Sequence, residues 1–167
     1  TTFPKYSYGV SINADYKGFD FSVLLQGLAG FEKQMGSYQA FAFYNAGQIQ
    51  RWQADNRWTV DNPNPNAKYV KLTSLNQSSG TILTSTFWNR DASFLRLKSL
   101  QLGYSFSNNV IRKLKVNQLR VFFSGQNLFS VNNFYQGWDP EMGQGTGDNT
   151  PFYPITAVYT FGLNLKF

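Results

Sequence analysis

Asp139, Glu141, Asp148 and Asn149 stand in one glycine-rich stretch and carry the oxygen ligands that a calcium ion takes. They lack an EF-hand order, so a solvated loop with local turn hydrogen bonds is the favoured reading and Ca²⁺ the alternative. Catalysis has little to work with. The chain holds no histidine and no cysteine, which removes the commonest general base, thiolate metal sites and disulfide staples. Serines and carboxylates remain, but without imidazole there is no ordinary triad, and the spacings support no Ser–Lys pair. No catalytic, cofactor-binding or metal residue is assigned, and the chain is not expected to be an enzyme.

Aromatic side chains are the other candidates. Trp52, Trp58, Trp88, Tyr135 and Trp138 can stack on sugar rings or anchor a protein lid. The favoured reading is that they form small satellite cores that hold long loops in shape. Arg57 and Arg90 are expected to fix loop carboxylates such as Asp55 or Asp91. Gln126 and Asn127 are expected to satisfy backbone groups where strand pairing ends. The short basic run Arg112, Lys113 and Lys115 reads as a solvated turn, with no nucleic-acid partner implied.

The elements that must position these groups follow from composition and periodicity. Aromatics make up 18% of the 167 residues and charged residues 14%, with a mean hydropathy of −0.36. Soluble domains carry about 25% charged residues. A polar average crowded with Phe and Tyr suits a membrane barrel, which has one face for lipid, one for a wet lumen, and aromatic girdles at both interfaces. No run of 18 apolar residues exists to form a transmembrane helix.

Period-two alternation predicts strands over about 5–16, 19–27, 94–106, 118–127 and 154–167. Most are long enough to cross an apolar band when tilted. Tyr6, Tyr8, Tyr16, Phe19, Tyr104, Phe106 and Phe167 are expected to face lipid as girdle residues. Arg96 and Lys98 share the parity of Leu100, so they are placed at the outer rim above the hydrocarbon, with Leu95 and Leu97 pointing inward. A two-residue turn, Lys17-Gly18, sets Asp15 against Asp20. Like charges directly opposite are unfavourable, so a bulge or a fold-back of Lys17 is expected to modify the register.

Short and long connections alternate, as periplasmic turns and extracellular loops do. Long loops are predicted over about 28–92 and 128–153, and both fall outside the cell if the chain ends in the periplasm. Within the first, Ala40, Phe43, Tyr44, Gly47 and Arg51 suggest a helix over Gln39 to Trp52. Five strands cannot close a barrel, so further strands are expected ahead of Thr1.

Several blocks add a resemblance. Arg57-Trp58-Thr59 with Asp61-Asn62-Pro63 and Asn66-Ala67 is one. Asp91 through Lys98 with Leu102-Gly103-Tyr104 is the second, and Leu119 through Phe129 the third. Gly137-Trp138-Asp139-Pro140-Glu141 and Tyr159 through Asn164 complete the set. In order and approximate spacing they resemble the C-terminal part of SusC/RagA-type TonB-dependent transporters. Tyr159, Phe161, Leu163, Leu165 and Phe167 also look like the terminal signal read by barrel-assembly machinery.

The resemblance implies an all-β, 22-stranded antiparallel transmembrane barrel in the bacterial outer membrane, of which these are the last five strands, with the C-terminus at the periplasmic side. It implies a plug domain and TonB contact outside this sequence. It also implies a SusD-like surface lipoprotein as lid, and active import of oligosaccharides or oligopeptides. The competing reading is a passive porin, or a structural or adhesive outer-membrane barrel without energy coupling.

Overall fold

The tight turn organises the first hairpin. Lys17 and Gly18 both take positive φ, 48° and 90°, the type I′ geometry whose twist matches the strands it joins. In the computed structural model, which describes residues 1–73, 83, 85–107, 111–112, 116–142 and 155–167, strands β1 (Tyr6–Tyr16) and β2 (Phe19–Ala29) flank this turn. They pair in unbroken register from Tyr16 with Phe19 to Tyr6 with Ala29. The expected bulge is absent. Asp15 does face Asp20, Lys17 lies over the Tyr16 ring at 5.1 Å, and Asp20 is engaged by Arg120 from two strands away.

Two short strands, β3 (Glu32–Gln34) and β4 (Asn89–Asp91), pair antiparallel at the root of the first long loop. Beyond them come β5 (Phe94–Ser105), β6 (Gln118–Gln126), β7 (Ser130–Asn132) and β8 (Val158–Lys166). The main sheet runs β1-β2-β5-β6-β8, with β7 added to β5. Every pairing in it is antiparallel. The predicted strand at about 154 starts later, at Val158, which pairs with Gln126. Past Gln126 the chain kinks at Asn127, with φ 51°, and resumes along β5 as β7, and the β6–β8 pairing ends at Gln126 with Val158.

The register corrects the reading of Arg96 and Lys98. Val23, Leu24 and Leu25 of β2 pair with Leu100, Ser99 and Leu97 of β5, so Lys98 is an extra residue. A bulge of one residue reverses the facing of everything beyond it. Leu95 and Leu97 therefore join Leu25 and Gly27 on the apolar face. Arg96 pairs with Gln26 and points to the polar face, where it is buried at the long-loop end of the sheet.

The helix predicted from Gln39 to Trp52 is also corrected. Only short pieces form: α1 (Ser37–Ala40), a 3-10 turn at Tyr44–Ala46, and α2 (Arg51–Asp55). Phe43 and Ala46 sit at left-handed φ of 59°, which stops a right-handed helix. Backbone groups that a helix would use are taken by Tyr69. Its hydroxyl accepts from the Ala42 N–H at 2.9 Å and donates to the Ala40 carbonyl at 2.5 Å.

The sheet is a single layer. One face presents Tyr6, Val10, Ile12, Tyr16, Phe19, Leu102, Phe161, Leu163 and Phe167, all exposed. The buried core lies instead within the loops, where Met35, Ala40, Tyr69, Trp88 and Tyr135 pack together. No helix among the described residues is long and apolar enough to cross a membrane.

Candidate functional site

Two charged clusters occupy the polar face, one at each end of the sheet. Near the short turns, Arg120 of β6 reaches across β5 to Asp20 of β2. Its Nε donates to Oδ1 at 2.9 Å and Nη2 to Oδ2 at 2.5 Å. The residue between them is Gly103, which pairs with Asp20 on one side and Phe122 on the other. A Cβ there would lie 2.3 Å from Asp20 Oδ1 and 2.5 Å from Arg120 Nη2. Glycine is what leaves the passage open. The Arg120 guanidinium also lies 5.1 Å over the Phe122 ring.

At the long-loop end, the bulge at Lys98 brings Arg96 and Lys98 together against Asp139 and Glu141. Arg96 Nη2 donates to both oxygens of Asp139 at 2.6 Å. Its Nε lies 2.6 Å from Glu141 Oε2 as an ionic contact rather than a directed hydrogen bond. Lys98 Nζ donates to both Glu141 oxygens at 2.8 and 2.9 Å, and Lys33 Nζ donates to the Met142 carbonyl at 2.6 Å. Burial pushes the Lys33 ammonium below the usual lysine range, against the opposing pull of Asp139 and Glu141. The Asp139-Pro140-Glu141 segment, with Pro140 fully buried, is thereby clamped to the sheet.

The loop core sits beside this clamp. Trp52 packs edge-on against Tyr69 and Tyr135 at 5.7 and 4.9 Å, and Trp88 packs against Phe41 at 5.2 Å. Burial drives the Tyr69 hydroxyl up to about 12. It also raises that of Tyr135, where the neighbouring Arg90 cation opposes it. Next to the core is a cleft of about 550 Å³ lined by Lys68, Arg90, Phe134, Tyr135 and Gln136 among others.

No family model matches the chain. Among curated proteins it is similar to TonB-dependent receptor P3 of Formosa agariphila, 28% identical over 180 residues. It is likewise similar to the TonB-dependent receptor SusC of Bacteroides thetaiotaomicron, 29% identical over 160 residues. These alignments cover 98% and 95% of this chain but 16% and 15% of the relatives. Among solved structures, the RagAB peptide importer in its open-open state superposes with a TM-score of 0.71 at 28% identity. That match covers all of this chain and 18% of the other. The closed-closed state gives 0.70. Over nearly its whole length the chain is similar in sequence and structure to a portion of SusC/RagA-type TonB-dependent receptors, about a sixth of their length.

The structure places the residues singled out from the sequence as follows. Trp88 and Tyr135 lie in the buried loop core, with Trp52 and Trp138 packed against it. Trp58 stands outside that cluster, half-buried, its N–H donating to the Tyr69 carbonyl at 2.9 Å. Tyr6, Tyr8, Tyr16, Phe19 and Phe167 are exposed, while Tyr104 and Phe106 are half-buried. Phe19 and Phe106 both pack on Tyr104, at 4.5 and 5.0 Å.

The carboxylates read as possible calcium ligands serve other partners. Asp139 and Glu141 are taken up by Arg96 and Lys98, and the described residues contain no group of three candidate metal ligands. Asp148 and Asn149 lie outside the described residues. The arginine expectations also need correction. Arg57 donates to the Ala54 carbonyl, while Asp55 pairs with Arg51 at 3.7 Å. Asp91 accepts from the Ser93 N–H at 2.9 Å, and the Ser93 hydroxyl together with that N–H holds its carboxyl below the usual range. Arg90 bonds to backbone and Tyr135 instead. At Asn127 it is the backbone N–H, not the side-chain amide, that donates to the Lys98 carbonyl, at 3.0 Å.

Sequence reasoning missed the Asp20 to Arg120 pair. Its signal was present, because Arg120 carries a cation on the polar parity at the same end as the unfavourable Asp15 and Asp20 pair.

Proposed function

We propose that this chain forms wall and outer loops of a TonB-dependent importer, which carries oligosaccharides or oligopeptides across the bacterial outer membrane beneath a SusD-like lipoprotein lid. The observation that carries the reading is the ladder of long antiparallel strands with one exposed apolar face, superposable in full on a peptide importer. That likeness favours the peptide arm.

In this reading the apolar face meets lipid. Tyr6 and Tyr8 belong to one girdle, and Tyr16, Phe19, Tyr104 and Phe106 to the other. The eleven residues from Tyr6 to Tyr16 span roughly 33 Å along the strand, or about 25 Å across the bilayer at the usual tilt, the height of an outer-membrane apolar band. The outer strands β1 and β8 each have one free edge. Free edges are not tolerated in hydrocarbon, so these edges pair with further strands of a larger barrel, about 22 in this family. The short turns and the C-terminus face the periplasm, and the loops of 28–92 and 128–153 face outward, where the lid docks. Tyr159, Phe161, Leu163, Leu165 and Phe167 serve as the assembly signal.

The test is uptake of labelled oligopeptides and oligosaccharides by cells carrying the full-length receptor. Uptake should stop when TonB is deleted and fall when the partner lipoprotein is removed. Uptake indifferent to TonB would make the protein a passive pore instead, and uptake indifferent to the lipoprotein would remove the lid.

A further inference from the structure

We infer that the cleft beside the loop core recognises a carboxylate group of the cargo, with Arg90 as its fixed cation and Lys68 as a second one; this rests on the import reading above. The cleft holds about 550 Å³ and has no aspartate or glutamate in its lining, a size that suits a small ligand segment. Arg90 is held there by neutral groups. Its guanidinium lies 5.3 Å over the Phe87 ring and 4.9 Å over the Tyr135 ring. It donates to the carbonyls of Phe87 and Asn89, the latter at 2.8 Å.

Among the described residues no carboxylate pairs with Arg90, although Asp91 adjoins it in sequence. Asp91 is turned to Ser93. An arginine fixed by carbonyls and rings keeps its full charge while losing its side-chain freedom in advance. A carboxylate arriving at its open edge then meets a preorganised donor, the geometry in which charge-assisted hydrogen bonds are strongest.

Lys68 lines the same cleft, is exposed, and has no ion-pair partner among the described residues. Asn66 and Gln136 add amides and Phe134 adds an aromatic face. Such a lining accepts either of two carboxylate sources: the terminus or acidic side chain of a peptide, or the acid group of a uronic sugar.

The probes are an alanine pentapeptide with a free or amidated C-terminus, and a galacturonate trisaccharide as free acid or methyl ester. Binding to the purified full-length receptor is measured by calorimetry. At least one free acid should bind roughly tenfold or more tightly than its blocked form, and the probe that does so identifies the source. Arg90→Gln should erase that preference. Lys68→Gln, a surface change without risk to folding, should reduce it by about threefold. The inference is overturned if neither pair is discriminated, if neither free acid binds at about 10 mM, or if both variants keep the wild-type preference. Loss of TonB-dependent uptake with carboxylate preference intact would sink the import reading alone. Uptake without that preference would sink only this inference.

Discussion

Replacing Arg96 by glutamine should release the Asp139-Pro140-Glu141 segment from the wall while leaving the sheet intact. Arg96 is 2% exposed and faces two carboxylates, Asp139 and Glu141, whose side chains are 12% and 19% exposed. In the variant, Glu141 keeps Lys98 at 2.8 Å, but Asp139 loses the one cation that bonds both of its oxygens. Removing one partner of a buried pair costs about 3–5 kcal/mol, because the remaining charge is left uncompensated. Some of that is recovered when the segment swings into water, so about 3 kcal/mol is expected, roughly a hundredfold in local opening. Limited proteolysis of the full-length receptor across residues 137–142 reads this directly, and resistance of the barrel to unfolding by heated detergent serves as the control. Lys98→Ala provides the contrast. Its pair with Glu141 is about a quarter exposed on the lysine side, so a cost near 1 kcal/mol and a severalfold change are expected. Equal cleavage of wild type and Arg96→Gln would refute the clamp. Equal cleavage of the two variants would refute the burial argument behind the magnitudes.

Gly103→Ala should break the Asp20 to Arg120 contact without altering the pairing of β5, since the added methyl meets side-chain ends and not backbone. A loss of about 1–2 kcal/mol in unfolding is expected, and it should vanish in an Asp20→Asn, Arg120→Gln background, where the pair is already gone. Tyr69→Phe should loosen the loop core by about 1–3 kcal/mol by leaving the Ala42 N–H without an acceptor, followed through the fluorescence of Trp52 and Trp88. The Tyr69 hydroxyl, raised from 10.0 to about 12 by burial, binds its proton more tightly folded than unfolded. Its contribution is complete below pH 10 and is lost as pH rises through 12. The same fluorescence signal should therefore change over that window in wild type, and the Tyr69→Phe variant should lack that component.

The strands were legible because their signal is local. Alternation in Tyr6 to Tyr16 and Val158 to Lys166 specifies two faces whatever lies alongside, and Lys17-Gly18 names its own turn. The facing of Arg96 was not, because a bulge belongs to a pair of strands and not to one. Only the register of β2 on β5 reveals that Lys98 is extra. The helix predicted over Gln39 to Trp52 failed for a related reason. The helical spacing of Ala40, Phe43 and Tyr44 is real, but Tyr69, far along the chain, takes the Ala40 carbonyl and the Ala42 N–H, and Phe43 turns left-handed. In the loops, types of residue announced a core and tertiary contacts chose its members. Trp88 is buried, and Trp58, equally apolar, is left at the margin.

The bulge at Lys98 links the wall to the loops above it. Had the strand run without it, alternation from Leu100 would have pointed Arg96 to the apolar face, away from the carboxylates that partner it. Leu95 and Leu97 would have pointed to the polar face. One extra residue exchanges both sets, giving the apolar face two leucines and the polar face a buried cation. That cation then requires anions, and the chain supplies Asp139 and Glu141 from the second long loop, flanking a buried proline. The same ladder shift leaves Asn127 to kink so that Ser130–Asn132 can continue on β5, which delivers the 133–142 segment to the clamp and Tyr135 to the loop core. Deleting Lys98 should therefore do more than remove a charge. It should restore simple alternation, turn Arg96 outward, and free the loop together with the packing of Tyr135. Substituting Lys98 by alanine keeps the bulge and should leave Arg96 turned inward, with only the severalfold loosening that follows from losing its pair with Glu141.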